Sequence, residues 1–228
     1  MSAILFVATL VIARLVHRRL LGHFGAGTLQ HVVRLPGNLL HELAHAVAML
    51  ATGYTINGFT VSILDREGRG HVKPGPAWIG LARPWVTNLV SPVAPAFAAL
   101  FALSLLQAWS GAPGIPTSLA GLKAVLLQVP WQTWQLWVGL VLAFSVTAEM
   151  SPSDVDLAAW WKPALVAAIL LAGLACGVEH FEPGGVVAFL ASADGAARST
   201  TGRALAMAVW SVPVVGPIAW GVGRARSA

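Results

Sequence analysis

The residues best suited to chemistry are His41, Glu42 and His45, which form a His-Glu-x-x-His pattern inside the apolar run 36–53. On an α-helix, residues four apart lie about 40° apart around the axis, so both imidazoles face one side. Two neutral imidazoles are suited to binding zinc, and a neighbouring carboxylate can take a proton from water that the metal activates. The pattern therefore predicts a zinc site with His41 and His45 as ligands and Glu42 as general base.

This pattern is unexpected by chance. With seven histidines and five glutamates in 228 residues, a random order would produce it about 0.005 times. The alternative is a set of polar side chains satisfied inside a helix bundle. That alternative must explain three ionisable groups on one turn of an apolar helix, where such groups are costly and usually functional.

The composition predicts an integral membrane protein. The chain is 57% hydrophobic and 10% charged, with a mean hydropathy of +0.73, whereas soluble domains carry about 25% charged residues. We expect one all-α membrane-embedded domain over 1–228, with about six transmembrane helices and no separate soluble domain. The expected spans are 2–16, 38–53, 78–109, 134–147, 157–176 and 204–222.

The segments around the expected spans carry their own signals. Asn38 follows Pro36 and Gly37 and is a plausible N-cap for the motif helix, which should end near Gly53. Alternation at 55–63 and a return from His71 predict a β-hairpin after the second span. Residues 183–202 are small and polar, so we expect a surface segment there with at most a short helix.

Charge gives little information on partners. The net charge of +5 fits loops that meet anionic lipid headgroups, and no cluster of Lys and Arg indicates nucleic-acid binding. Six alternating spans divide the 14 Lys and Arg residues seven to seven, so the positive-inside rule gives no orientation. The lone cysteine, Cys176, allows no internal disulfide, and the oligomeric state is not predicted.

A catalytic zinc usually has three protein ligands, and the third is open here. Asp154 is the first candidate and Asp156 the second, in Ser-Pro-Ser-Asp-Val-Asp between two expected spans; Glu149 and His180 are further candidates, and His71 is a weak one. The same acidic segment is also typical of a helix start capped by serine. Asn88 is a weak candidate for substrate binding, although an interhelical hydrogen bond explains it equally well.

The stretch Pro36-Gly-Asn-Leu-Leu-His-Glu-Leu-Ala-His-Ala-Val-Ala-Met-Leu-Ala-Thr-Gly-Tyr resembles the first signature of the site-2 protease family of intramembrane zinc metalloproteases, above all its smaller bacterial members. The likeness is specific over about 20 residues and loose over the core at about 33–175. It implies His41 and His45 as zinc ligands, Glu42 as general base and a late aspartate as third ligand, which maps to Asp154 or Asp156. The family's second motif contains Leu-Asp-Gly, which this sequence replaces with Ser-Pro-Ser-Asp.

The resemblance implies a multi-pass protein of the bacterial inner membrane, with its active site and hairpin towards the cytosol. Its Zn²⁺ cofactor would support hydrolysis of peptide bonds in membrane-protein or peptide substrates. The segment around Pro92 and Pro95, or the hairpin, could hold the unwound substrate. Two other hypotheses remain: a membrane metal-binding or transport protein, and an inactive scaffold that binds membrane helices.

Overall fold

The computed structural model describes residues 3–24, 28–61, 70–77, 84–114, 119–150, 162–170, 172, 174 and 185–227. The predicted composition of elements is confirmed in these residues, which are mostly helical and include an antiparallel β-hairpin. The predicted third ligands Asp154 and Asp156, and the further candidate His180, lie outside the described residues.

Ten elements follow in chain order. They are α1 (Ala3–His23), α2 (Thr28–Ala51), β1 (Tyr54–Thr60), β2 (His71–Ala77), α3 (Pro84–Val90), α4 (Ala94–Ser110), α5 (Leu119–Gln128), α6 (Trp134–Glu149), α7 (162–170) and α8 (Gly185–Ser227). A 3₁₀ turn, Ser91–Val93, joins α3 to α4. The long apolar region expected as the span 78–109 is therefore interrupted at Pro92, just before Pro95.

The start of the motif helix differs from the prediction. Helix α2 begins at Thr28, contains Pro36 and carries Asn38 in its buried interior, so the prediction of Asn38 as N-cap is wrong. Proline removes one backbone donor and usually ends or kinks a helix. Here the neighbouring Gly37 N–H donates to Ser145 Oγ of α6 at 2.8 Å, so packing against α6 supports the helix at this point. The predicted end is confirmed, because Gly53 has φ 93° just beyond Ala51.

The hairpin lies directly after α2. Its register pairs Tyr54 with Ala77 and Thr60 with His71, with irregularities near Ile56 and Gly58. The predicted strands are thus confirmed, while the turn at 62–69 is outside the described part of the chain.

Helix α8 also differs from the prediction. It runs for 43 residues and joins the expected surface segment 183–202 to the expected last span, with Pro213 and Pro217 inside it. The prediction of at most a short helix before residue 204 is wrong. The segment is rich in alanine, the strongest helix former, which outweighs its scattered polar residues.

Helix α6 is at the centre of the packing. Its first half packs against Leu103 of α4 and Met207 of α8, in a core that includes Leu136 and Leu140. Its second half presents Phe144 to a second cluster from the last turns of α1 and α8. The end of α6 consequently brings together the ends of two other helices, and α2 passes alongside.

Two helices in the described residues are long and apolar enough to cross a membrane: Pro84–Ser110, which includes the 3₁₀ turn, and Ser199–Val222. They correspond to two of the six expected spans. Helix α6 is apolar but only 16 residues long. Helix α1 carries three arginines, and α2 carries the ionisable motif. These polar groups lower the mean hydropathy of both helices.

Candidate metal centre

Helix α2 brings the two motif histidines together. The Nε2 atoms of His41 and His45 lie 3.1 Å apart, and the two rings meet edge to face with centroids 4.8 Å apart. His45 is buried and His41 is half-buried. The i, i+4 spacing therefore produces the convergence of ring nitrogens that the sequence predicted.

The other nitrogen of each imidazole has a partner outside the pair. His41 Nδ1 lies 2.8 Å from the backbone oxygen of Glu149, and because a carbonyl only accepts, Nδ1 must carry the proton. Nε2 of neutral His41 then carries a lone pair. His45 Nδ1 lies 3.1 Å from Ser91 Oγ, which can accept its proton in the same way. Outer partners of this kind fix the tautomer and orientation of metal-binding histidines.

Packing between α2 and α6 supplies the first of these partners. Glu149 is the last residue of α6, so its carbonyl has no acceptor role within the helix and is available to His41. The contact of Gly37 with Ser145 lies one turn earlier on both helices, and a Cβ at Gly37 would collide with the Ser145 carbonyl. Arg34 Nε also donates to Glu149 Oε1 at 2.6 Å, which ties the same two helices together.

The break in the long apolar region supplies the second partner. Ser91 is the first residue of the 3₁₀ turn and is buried, as is the next residue, Pro92. The turn interrupts the helical ladder and presents the Ser91 hydroxyl to His45. A broken helix in an apolar region needs polar partners, and the histidine pair supplies one of them here.

Glu42 is buried beneath the hairpin. It is 5% exposed, and it lies against Gly70, the residue that leads into β2. A Cβ built on Gly70 would be 2.5 Å from Glu42 Cγ and 2.8 Å from Oε1. The carboxylate therefore lies close to backbone, on the side of α2 that faces the hairpin.

The donor set fits zinc as far as it is described. The 3.1 Å separation suits either one hydrogen bond between the two nitrogens or two lone pairs that share a cation. Zn–N bonds of about 2.0–2.1 Å in a tetrahedral site place two ring nitrogens about 3.3 Å apart, close to that separation. Neutral imidazoles with outer-shell partners and a buried carboxylate alongside are the groups that a catalytic zinc site uses.

No third His, Cys, Asp or Glu completes a three-residue metal group within the described part of the chain. Glu149 contributes its carbonyl to His41 and its carboxylate to Arg34, so its position is that of an outer partner. The weak candidate His71 is exposed at the start of β2. Asp154 and Asp156 follow Glu149 by five and seven residues in the sequence.

An apolar groove runs along α2 beside His45. Its volume is about 760 Å³, and its walls come from α2, α3, the 3₁₀ turn and α4. Its lining includes Ala44 and Ala48, which flank His45, and Val90 and Val93, which flank Ser91. Asn88 is exposed on α3, less than one turn from Ser91. The histidine pair thus lies beside a surface suited to an apolar ligand.

Sequence patterns did not indicate Ser91, Gly70 or the Arg34–Glu149 pair as parts of this site. Each of them belongs to the site because of the elements that pack against α2. No general spacing rule relates their positions in the sequence to the His-Glu-x-x-His motif. The position of Glu149 at the end of an apolar helix was the nearest signal.

Searches against protein-family models, curated proteins and solved structures found no match for this chain.

Proposed function

We propose that this chain is an intramembrane zinc metalloendopeptidase, of the kind its motif resembles. The observation that carries the proposal is the pair of Nε2 atoms 3.1 Å apart, with each Nδ1 engaged by another element. Burial of Glu42 beside that pair adds the carboxylate that hydrolysis needs. A site built for metal binding alone does not require Glu42.

In this proposal each residue has one role. His41 and His45 hold the metal, and Asp154 is the third ligand, with Asp156 as the alternative. Bound zinc would act as a Lewis acid that polarises the scissile carbonyl and activates the attacking water. Glu42 accepts a proton from that water as the new C–O bond forms, and it donates the proton to the amine as the C–N bond breaks. Ser91 and the Glu149 carbonyl keep the imidazoles oriented.

Exposed apolar side chains support the membrane setting. Phe97, Phe101 and Leu105 form an i, i+4 stripe on α4, and all three are more than half exposed. Leu43 and Val47 are also exposed on α2. A soluble protein rarely leaves such continuous apolar surface in water, whereas lipid covers it without cost. About six spans remain our proposal for the whole chain.

Tryptophans indicate the depth of the site. Trp109 and Trp134 stack edge to face, Trp131 and Trp137 lie beside one another, and all four are exposed. Such clusters are typical of the headgroup level. Glu149 is 15 residues beyond Trp134 on α6, about 22 Å along the helix. With a hydrocarbon core of about 30 Å, the metal centre would lie within the bilayer, near the opposite surface.

Basic residues support one orientation. At the end of the bundle that holds the metal centre are Arg18 and Arg19 near the end of α1, Arg34 on α2 and Arg224 near the end of α8. Arg and Lys are enriched on the cytoplasmic side of membrane proteins. The resemblance implies an inner-membrane protein with its metal centre towards the cytosol, and these four arginines agree with that orientation, although the seven-to-seven division of the whole chain does not select it.

The groove suggests the substrate class. Its twelve lining residues are all apolar, so it suits a transmembrane segment of another protein rather than a soluble peptide. The groove is lined by the sequence neighbours of Ser91 and His45, and a substrate helix bound there would have to unwind to present a peptide bond. The test is cleavage of a membrane-protein reporter, reconstituted with the purified chain and compared with Glu42→Gln.

The proposed third ligand, Asp154, can be tested by its effect on zinc content. Glu149 contacts His41, and five residues span at most about 18 Å, so Asp154 is within reach of the centre along the chain. We expect Asp154→Ala to lower the bound zinc well below one per chain, because two imidazoles alone hold zinc weakly. Zinc content of the purified variant is the measurement, with Asp156→Ala as the matched control. Full zinc in Asp154→Ala together with loss in Asp156→Ala would transfer the role to Asp156.

A further inference from the structure

The hairpin meets the motif helix at one point of unusually close approach. A Cβ on Gly70 would lie 2.5 Å from Glu42 Cγ, 2.8 Å from the carboxyl carbon and 2.8 Å from Oε1. Real Cβ atoms almost never approach a neighbour within 3.0 Å. Any other residue at position 70 would therefore displace either the hairpin or the Glu42 side chain.

Backbone conformation does not explain this glycine. Among the described glycines only Gly53 and Gly111 have positive φ, so Gly70 adopts a conformation open to other residues. Close approach to Glu42 is the remaining requirement that only glycine meets. The residues that follow Gly70, from His71 onward, belong to β2 and pair with β1.

We infer that Gly70 is a positioning residue that caps Glu42: the Gly70 backbone lies against the carboxylate and holds the Glu42 side chain in one place. The inference rests on the proposed function for its consequence in catalysis, since Glu42 is the proposed base. Its geometric part, the contact itself, is independent of zinc and of hydrolysis. Glu42 is 5% exposed, as a capped side chain should be.

The cap matters because general-base catalysis depends on position. Misplacement of a reacting group by about 1 Å can lower a rate roughly 10²-fold. A methyl group at position 70 competes with Glu42 Cγ for the same space and moves the carboxylate away from its water. Metal binding should be unaffected, because His41 keeps its contact with Glu149 and His45 keeps its contact with Ser91.

The contact can be tested by a disulfide. Cβ and Cγ of Glu42 are one bond apart, so the Cβ positions of residues 42 and 70 are at most about 4 Å apart, within the usual range for a disulfide. In a Cys176→Ser background, we expect Glu42→Cys with Gly70→Cys to lose both free thiols on mild oxidation in membranes. Glu42→Cys with Gly58→Cys is the control, because Gly58 pairs with Lys73, about 10 Å along β2 from Gly70.

Three alanine variants test the consequence. Gly70→Ala should lower kcat roughly 10²-fold with KM and zinc content unchanged. In Gly58→Ala the new Cβ makes only ordinary contacts with Lys73 at 3.6 Å, so turnover should stay at the wild-type value. In Gly75→Ala the new Cβ collides with Thr55 and Asn57 inside the hairpin, away from Glu42, so it measures the effect of distorting the hairpin alone.

Each outcome has a defined meaning. No disulfide at position 70, or equal oxidation of the Gly58 pair, would overturn the cap whatever the activity. A disulfide with equal kcat in Gly70→Ala and Gly75→Ala would overturn the positioning role. A disulfide in a chain whose wild type cleaves no reporter would remove the proposed function and the positioning role with it, while the contact stands.

Discussion

Glu42→Gln should abolish cleavage of a membrane-protein reporter while the protein keeps its zinc. The amide has nearly the same shape as the carboxylate, so it fits beneath Gly70, but it cannot accept the proton from water. A positioned general base contributes about 10²–10⁴ to a rate, and we expect kcat to fall by that factor. The measurement is turnover of the reconstituted reporter, with zinc determined in the same preparation.

The zinc determination is the control in that experiment. His41 and His45 make their outer contacts with Glu149 and Ser91, neither of which Glu42→Gln alters. Loss of cleavage with one zinc per chain would separate proton transfer from metal binding. Equal cleavage by Glu42→Gln and wild type would rule out Glu42 as the base, and zinc without cleavage in the wild type would favour a metal-binding or scaffold function.

His41→Ala and His45→Ala should each deplete zinc and eliminate cleavage. Each change removes one of the two nitrogens that converge at 3.1 Å and leaves the other imidazole with a buried outer-shell contact. Loss of an outer-shell partner alone weakens metal binding about 10–100-fold, so loss of a ligand should exceed that. Competition for zinc with a chelator of known affinity measures the change in zinc affinity directly.

A graded series makes this prediction specific. Ser91→Ala keeps both ligands and removes only the partner of His45 Nδ1, so we expect an intermediate loss of about 10–100-fold in zinc affinity. His71→Ala removes an exposed histidine of the hairpin and should bind zinc as the wild type does. The same loss in His71→Ala as in His45→Ala would mean that zinc binds elsewhere or non-specifically.

Local spacing predicted the convergence of His41 and His45 because the relevant geometry lies within one helix. His41 and His45 are four residues apart, and the helix alone sets their common face. The hairpin was predicted for a similar reason, since alternation and turn residues act over a few positions. The break near Pro92 and Pro95 also follows from local chemistry, namely the missing backbone donors of proline.

Tertiary packing accounts for what the sequence did not predict. Pro36 and Gly37 are a strong local stop signal, yet the helix continues because Ser145 of a distant helix accepts the Gly37 N–H. Ser91 and the Glu149 carbonyl are 46 and 108 residues from the histidines they contact. No spacing rule connects such pairs, so the outer shell of the site became visible only in the folded chain.

The contact between Gly70 and Glu42 could not be predicted from the sequence for the same reason. Asp65-Arg-Glu-Gly-Arg-Gly predicts a turn, and glycine is ordinary there. Its distinctive property is the closeness of Glu42, which lies 28 residues earlier on another element. A turn glycine and a capping glycine therefore look alike in sequence and differ only in what a Cβ would meet.

Metal depletion followed by restoration is the decisive test of zinc-dependent hydrolysis at the His41–Glu42–His45 site. Purified protein is stripped with a chelator, reconstituted with the reporter, and assayed before and after addition of one equivalent of Zn²⁺. We predict no cleavage in the stripped protein and recovery at one zinc per chain, with no recovery in His45→Ala. Undiminished cleavage by metal-free protein, or equal recovery in His45→Ala, would contradict this assignment.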